Sequence, residues 1–221
     1  MKKRAFDLAS SVEPKHVVTA SVAVTIAVLA LSYGGYGTDT LALLSVTCWT
    51  VILVGLGFGF LPRTRLTTPS WVLLGLIAAL TAWTVLAISW SNDAGLAYIR
   101  AIQVATAFGI AAVVILASRP GEGRAWISGL TIGFGVIIAL AAMSRFVPVI
   151  GTDAELTNQL GPIMGGRLSW PLGYWNALGL VTAMFLVLSL WHSGLARRDR
   201  VRDVATACLP LAALLLYLCS S

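Results

Sequence analysis

Charged residues are scarce in this chain: only 11% of its 221 residues are Asp, Glu, Lys or Arg, whereas 58% are hydrophobic. So small a polar fraction cannot cover the surface of a water-soluble globule of this size. Histidine occurs twice and cysteine three times, and no CxxC, HExxH or phosphate-binding glycine motif stands in a usable context. The composition therefore excludes an ordinary soluble domain, and we predict a membrane protein with no metal site, no cofactor and no nucleic-acid partner.

Long hydrophobic runs account for most of the remaining sequence. A helix crosses a bilayer with about 20 apolar residues, and seven charge-free intervals are long enough. Their apolar cores lie near residues 17–32, 41–61, 71–90, 101–118, 126–143, 175–191 and 205–219. The runs are unbroken and lack the period-two alternation of membrane strands. We therefore predict an all-α, polytopic transmembrane bundle of about seven helices, organised as one transmembrane domain over residues 1–221.

The basic residues predict the orientation of these helices, because Lys and Arg near helix ends are retained on the cytoplasmic side. With a cytoplasmic N-terminus, the inner segments hold twelve Lys and Arg residues and the outer segments hold three, Arg100, Arg145 and Arg167. The MKKR start could belong to a secretory signal peptide, but Asp7, Glu13 and the absence of a convincing cleavage site favour a retained first helix. We predict an N-terminus in the cytoplasm.

The glycines indicate where helices pack closely, and the loop lengths indicate which segment is functional. The GLGFG stretch at 55–59 and the pair Gly129 and Gly133 are interpreted as points of close helix approach. The outer loop from 144 to 174 is much longer than the basic inner turns. Long loops of this kind tend to carry function.

The sequence RLSWPLGYWNALG, residues 167–179, ends that loop. Pro171 and Gly173 break any helix between Trp170 and Tyr174, and Asn176 is placed to cap the sixth helix or to enter the bundle. One interpretation is a re-entry turn with an aromatic anchor. The other is an anion and glycan site, in which the guanidinium of Arg167 binds a phosphate group.

This motif resembles the signature of bacterial O-antigen ligase and polymerase-like membrane proteins, in a form similar to actinobacterial members. AISWSNDAGLAYIRAIQ, residues 87–103, and the final LLLYLCSS resemble two further segments of that family. The resemblance implies a multi-pass protein of the bacterial cytoplasmic membrane that acts in cell-envelope polysaccharide biosynthesis. It would take a glycan from a polyprenyl-diphosphate carrier and transfer it to a lipid or glycan acceptor on the outer face, as a ligase or as a polymerase.

The resemblance and the topology together suggest a binding site without a complete catalytic centre. We expect Arg167, Arg145, Arg100, Asn176 and Tyr174 to bind the diphosphate and the glycan. No catalytic residue is assigned. The two histidines, His16 and His192, fall on the predicted inner side. Asp153 and Glu155 lie in the outer loop and could supply a carboxylate as general base, although two acids in a polar loop are usually only solvated.

In the resembled family the histidine-bearing outer loop lies further towards the C-terminus. We therefore expect this chain to be the N-terminal part of a longer enzyme and to be inactive alone. Two other classes stay open: a small membrane transporter or channel subunit, and a non-catalytic membrane assembly protein. The lack of charged residues inside the predicted helices disfavours transport, because a transported ion or substrate normally needs such partners.

Overall fold

The architecture is taken from a computed structural model that describes residues 13–35, 37–59, 61, 66–119, 121–147, 167–196 and 199–219. Seven α-helices occur in these ranges: α1 (Pro14–Leu31), α2 (Thr38–Gly57), α3 (Thr68–Ala87), α4 (Ala94–Ala117), α5 (Gly123–Phe146), α6 (Trp175–Leu195) and α7 (Asp199–Leu218). Short 3-10 turns follow α1 at Tyr33–Gly35 and α3 at Ile88–Trp90. The predicted all-α fold of about seven helices is confirmed.

Six of the helices, α2 to α7, are long and apolar enough to cross a membrane. This is the pattern of a multi-pass membrane protein. α1 is the shorter exception with 18 residues, which at the helical rise of 1.5 Å per residue amounts to about 27 Å. The cytoplasmic position of the N-terminus stays a prediction.

Local sequence sets two of the helix starts. The hydroxyl of Thr67 accepts a hydrogen bond from the backbone N–H of Ser70 at 3.4 Å, at the start of α3. The carboxylate of Asp93 accepts one from the N–H of Leu96 at 2.9 Å, at the start of α4. Each bond satisfies a backbone donor that has no partner inside the helix.

The chain divides into two compact units, the first made of residues 1–34 and 123–221 and the second of residues 35–122. In the first unit α1 packs on α5, α5 on α6, and α6 on α7. Its core contains large apolar side chains from the last three of these helices, including Ile137, Ile138, Leu178, Phe185 and Leu215. The single transmembrane domain over residues 1–221 stays a prediction.

Close contact between α1 and α5 depends on two glycines. A Cβ atom placed on Gly129 would lie 2.8 Å from the backbone oxygen of Thr19, and one on Gly133 would lie 2.9 Å from Cβ of Ile26. Only glycine leaves room for backbones this close, so the predicted close approach is confirmed for this pair. Because the order of contacts is the same along both helices, α1 and α5 run parallel.

α6 runs antiparallel to α5. Nε2 of His192, in the last turn of α6, lies 3.2 Å from Oγ1 of Thr131 near the start of α5. Further along α5, a Cβ on Gly135 would lie 3.3 Å from Cε2 of Phe185, which precedes His192 in α6. One end of the first unit therefore holds the ends of α1 and α5 and the start of α6; we call it the motif end. The opposite end, with His192, is the histidine end.

In the second unit α4 packs against both α2 and α3. A Cβ on Gly109 of α4 would lie 3.1 Å from Cβ of Cys48 in α2, and the rings of Trp49 and Phe108 meet edge-on with centroids 5.3 Å apart. The interpretation of 55–59 as a site of helix approach is wrong. A Cβ on Gly55 would lie 2.5 Å from Cγ of Leu61, a residue beyond the end of α2, and one on Gly57 would meet nothing within 4 Å.

Candidate functional site

Residues 167–174 form a folded turn that leads into α6. The N–H of Leu168 donates to the carbonyl oxygen of Leu218 at the end of α7 (3.2 Å), and the N–H of Gly173 donates to the carbonyl oxygen of Ser169 (3.0 Å). Four side chains of the turn are buried: Leu168, Ser169, Pro171 and Leu172. The peptide bond between Trp170 and Pro171 is cis. These contacts fix the turn on the motif end of the first unit.

Gly173 ends the turn with φ of +72°, a left-handed conformation that glycine adopts without steric cost. The next residue, Tyr174, is the N-cap of α6 and is extended. The predicted break between Trp170 and Tyr174 is therefore confirmed, and the chain turns into the helix at a residue that has no Cβ.

Arg167 is exposed at the start of this turn. Its guanidinium carbon lies 5.6 Å from the centroid of the Trp175 ring, which is within the range of a cation–π interaction. Trp175 is the first residue of α6. The contact holds a permanent positive charge beside the N-terminus of a helix, where backbone N–H groups and the helix dipole also favour an anion.

Asn176 does not cap α6, contrary to the sequence-based expectation. The N-cap is Tyr174, which makes no side-chain capping bond. Asn176 is the second helical residue, is exposed rather than inside the bundle, and its Nδ2 donates to the hydroxyl of Tyr174 at 2.7 Å. No side chain therefore caps the backbone N–H groups in the first turn of α6. The amide of Asn176 and the hydroxyl of Tyr174, which are hydrogen-bonded to each other, lie next to these N–H groups.

Tyr33 was not identified from the sequence, yet it contacts the motif. It follows the end of α1 with φ of +53°, and its Cδ1 lies 3.1 Å from the place where a Cβ on Gly173 would stand. Tyr33 is 63% exposed. The Gly-rich sequence SYGGYG around Tyr33 signals an irregular turn, but the contact itself follows only from the tertiary packing of α1 on α5 and of α5 on α6.

The other two predicted arginines are placed differently. Arg145 lies in the last turn of α5, at the motif end, where a cation is favoured by the helix dipole. Arg100 lies in α4 of the second unit, where its Nη1 donates to Oε1 of Gln103 at 2.9 Å. The structure therefore brings Arg145, Arg167, Tyr174 and Asn176 to one end of the first unit, while Arg100 is described within the other unit.

No general base is assigned at the motif end. His192 lies at the histidine end, and so does His16, in the first turn of α1. Asp153 and Glu155 fall outside the described residues. Within the described ranges no group of three or more His, Cys, Asp or Glu side chains is placed to hold a metal ion.

Comparison of the chain with models of protein families, with curated proteins and with solved structures finds no match. The candidate site therefore rests on the residues at the motif end and on their geometry.

Proposed function

We propose that this chain acts in glycan transfer in the manner of the membrane-embedded O-antigen ligases and polymerases, and that its motif end binds a polyprenyl-diphosphate-linked glycan. The observation that carries the proposal is the exposed guanidinium of Arg167, positioned by Trp175 at the start of α6. A diphosphate requires hydrogen-bond donors and positive charge, and this place offers both.

The location suits a lipid-linked anion. α6 and α7 are two of the helices apolar enough to cross a membrane, and the turn that carries Arg167 lies at their ends. A polyprenyl chain would lie along the apolar helix surfaces while its diphosphate stays at the membrane surface. The distribution of basic residues predicts that this surface is on the outer face of the membrane, and the resemblance implies that this is the bacterial cytoplasmic membrane.

Arginine can also assist transfer. In the transfer the acceptor oxygen bonds to the sugar carbon while the bond between that carbon and the diphosphate oxygen breaks. The hydroxyl proton passes to a base, and negative charge grows on the leaving diphosphate. Preorganised donors stabilise that charge in the transition state. The acceptor hydroxyl still needs a base, which the described residues of this chain do not identify.

Transfer of a labelled glycan from its lipid carrier, measured with the protein in membrane vesicles, tests the proposal. Arg167→Lys keeps the charge but loses bidentate geometry, so we expect transfer to fall by about tenfold or more, since hydrogen bonds to charged groups contribute about 1.5–3 kcal/mol. Arg124→Lys is the matched control, because Arg124 is an exposed arginine at the start of α5, at the histidine end. Equal transfer by wild type and Arg167→Lys would refute the proposal.

Arg145 provides a graded comparison in the same assay. Its place in the last turn of α5 also suits a long basic side chain that extends to the membrane surface. We expect Arg145→Lys to retain more transfer than Arg167→Lys. A larger loss of transfer for Arg145→Lys would indicate that Arg145, at the end of α5, binds the phosphate in place of Arg167.

A further inference from the structure

Tyr33 has a backbone conformation that its side chain disfavours. Its φ of +53° lies in the left-handed region, where a bulky residue is uncommon. The next residue, Gly34, has φ of +70° and adopts the same region without cost. Strained residues of this kind cluster at functional sites, where the surrounding structure holds them in place.

The backbone conformation of Tyr33 places its aromatic ring beside the motif. A Cβ placed on Gly173 would lie only 3.1 Å from Cδ1 of Tyr33, and yet the residue is 63% exposed. One edge of the ring therefore lies against the turn that carries Arg167, and much of its surface is free.

The two aromatic side chains at the start of α6, Tyr174 and Trp175, already have partners. The Trp175 ring makes a cation–π contact with the guanidinium of Arg167. The Tyr174 ring lies 5.2 Å from that of Trp175, centroid to centroid, and its hydroxyl accepts the bond from Asn176. Tyr33 is thus the aromatic residue of this group that is most available to a ligand.

We infer that Tyr33 is a platform for the first sugar of the donor, the sugar joined directly to the diphosphate. This inference rests on the proposed function. Because that sugar is bonded to the phosphate group that Arg167 binds, it must lie next to the turn. The apolar C–H face of a sugar ring packs on an aromatic face, and aromatic side chains with a few placed polar groups are the usual lining of such sites.

Equilibrium binding of two lipids to the full chain in phosphatidylcholine nanodiscs tests this inference: polyprenyl diphosphate, and the same lipid carrying one sugar. We expect Tyr33→Leu to weaken binding of the sugar-bearing lipid by about fivefold to tenfold and to leave the bare diphosphate within about twofold. Tyr33→Trp, which restores an aromatic face, should recover the difference. Arg167→Ala should weaken both lipids.

Tyr217 supplies the matched control. It is a tyrosine near the end of α7, also at the motif end, and 79% exposed, so it shares any general role of tyrosine at a membrane interface. Tyr217→Leu should change neither affinity. The role of Tyr33 is refuted if Tyr33→Leu and the wild type have the same ratio of affinities for the two lipids. It is also refuted if Tyr217→Leu changes the affinities as Tyr33→Leu does. In both cases the proposed binding of the diphosphate would stand. If neither lipid binds the wild type, or Arg167→Ala binds both normally, the proposed function itself fails.

Discussion

The guanidinium of Arg167 lies over the indole ring of Trp175, 5.6 Å from its centroid. The two residues are eight positions apart, and they meet because the intervening residues fold back as a turn whose N–H groups bond to Leu218 and Ser169. The contact leaves the guanidinium exposed and restricts where it points. An arginine preorganised in this way loses less conformational entropy when it binds a phosphate.

Substitution of Trp175 should therefore affect donor binding through Arg167. A cation–π contact at an exposed site contributes about 0.5–1 kcal/mol, so Trp175→Leu should weaken binding of polyprenyl diphosphate by about two- to fivefold. Trp175→Phe keeps an aromatic face and should stay within about twofold. Trp191→Leu is the control, because the Trp191 ring contacts His192 at the histidine end. A Trp175→Leu variant with wild-type affinity would show that the ring does not position Arg167.

The bond between Asn176 and Tyr174 predicts a coupled pair. Since Nδ2 of Asn176 donates to the Tyr174 hydroxyl, Asn176→Leu and Tyr174→Phe remove the same hydrogen bond. Each should lower the free energy of unfolding by about 0.5–1 kcal/mol, and the double variant should cost little more than either alone. Thermal unfolding of the wild type, the two single variants and the double variant in detergent provides this double-mutant cycle. If the losses in the free energy of unfolding were strictly additive, the two side chains would act separately.

Two helical glycines, Gly129 in α5 and Gly194 in α6, predict opposite effects of the same substitution by alanine. Gly129→Ala would place its Cβ 2.8 Å from the backbone of Thr19, so α1 must move, at a cost of about 1–3 kcal/mol. Gly194, near the end of α6, has nothing within 4 Å of its Cβ position, and alanine there should be neutral or stabilise the helix by about 0.5–1 kcal/mol. A Gly129→Ala variant that unfolds at the wild-type temperature would contradict the close packing of α1 on α5.

Sidedness can be measured by labelling in intact cells. In a background with the native cysteines replaced by alanine, a cysteine at Thr157, in the predicted outer loop, should react with a membrane-impermeant maleimide. A cysteine at Gly123, at the start of α5, should react only after the cells are opened. Equal reaction at both positions in intact cells would overturn the predicted orientation, and with it the outer location of the motif.

Sequence reasoning predicted the helices and the break before α6, because both depend on local properties: runs of apolar residues, and the backbone limits of Pro171 and Gly173. It also identified Gly129 and Gly133, since small residues four apart on one helix face indicate close packing. It misplaced Asn176, because the start of α6 is set by the turn and not by a capping side chain.

Other features depend on contacts between segments far apart in the chain. Tyr33 reaches Gly173 only through the parallel packing of α1 on α5 and the antiparallel packing of α5 on α6. Gly55 accommodates Leu61, a residue outside any helix, and a pattern of glycines cannot distinguish that neighbour from a second helix. Long-range packing of this kind is not encoded in the local pattern of residue types.

Direct contact between Arg167 and the donor phosphate is the central claim, and solid-state NMR in bilayers measures it. With the protein labelled with ¹⁵N in its arginine side chains, polyprenyl diphosphate should produce ³¹P–¹⁵N dephasing that corresponds to a distance of about 4 Å, as for a guanidinium bonded to a phosphate oxygen. We expect the effect to disappear in Arg167→Lys and to persist in Arg124→Lys. Dephasing that survives in Arg167→Lys, or is absent from the wild type when the lipid is bound, would contradict the account.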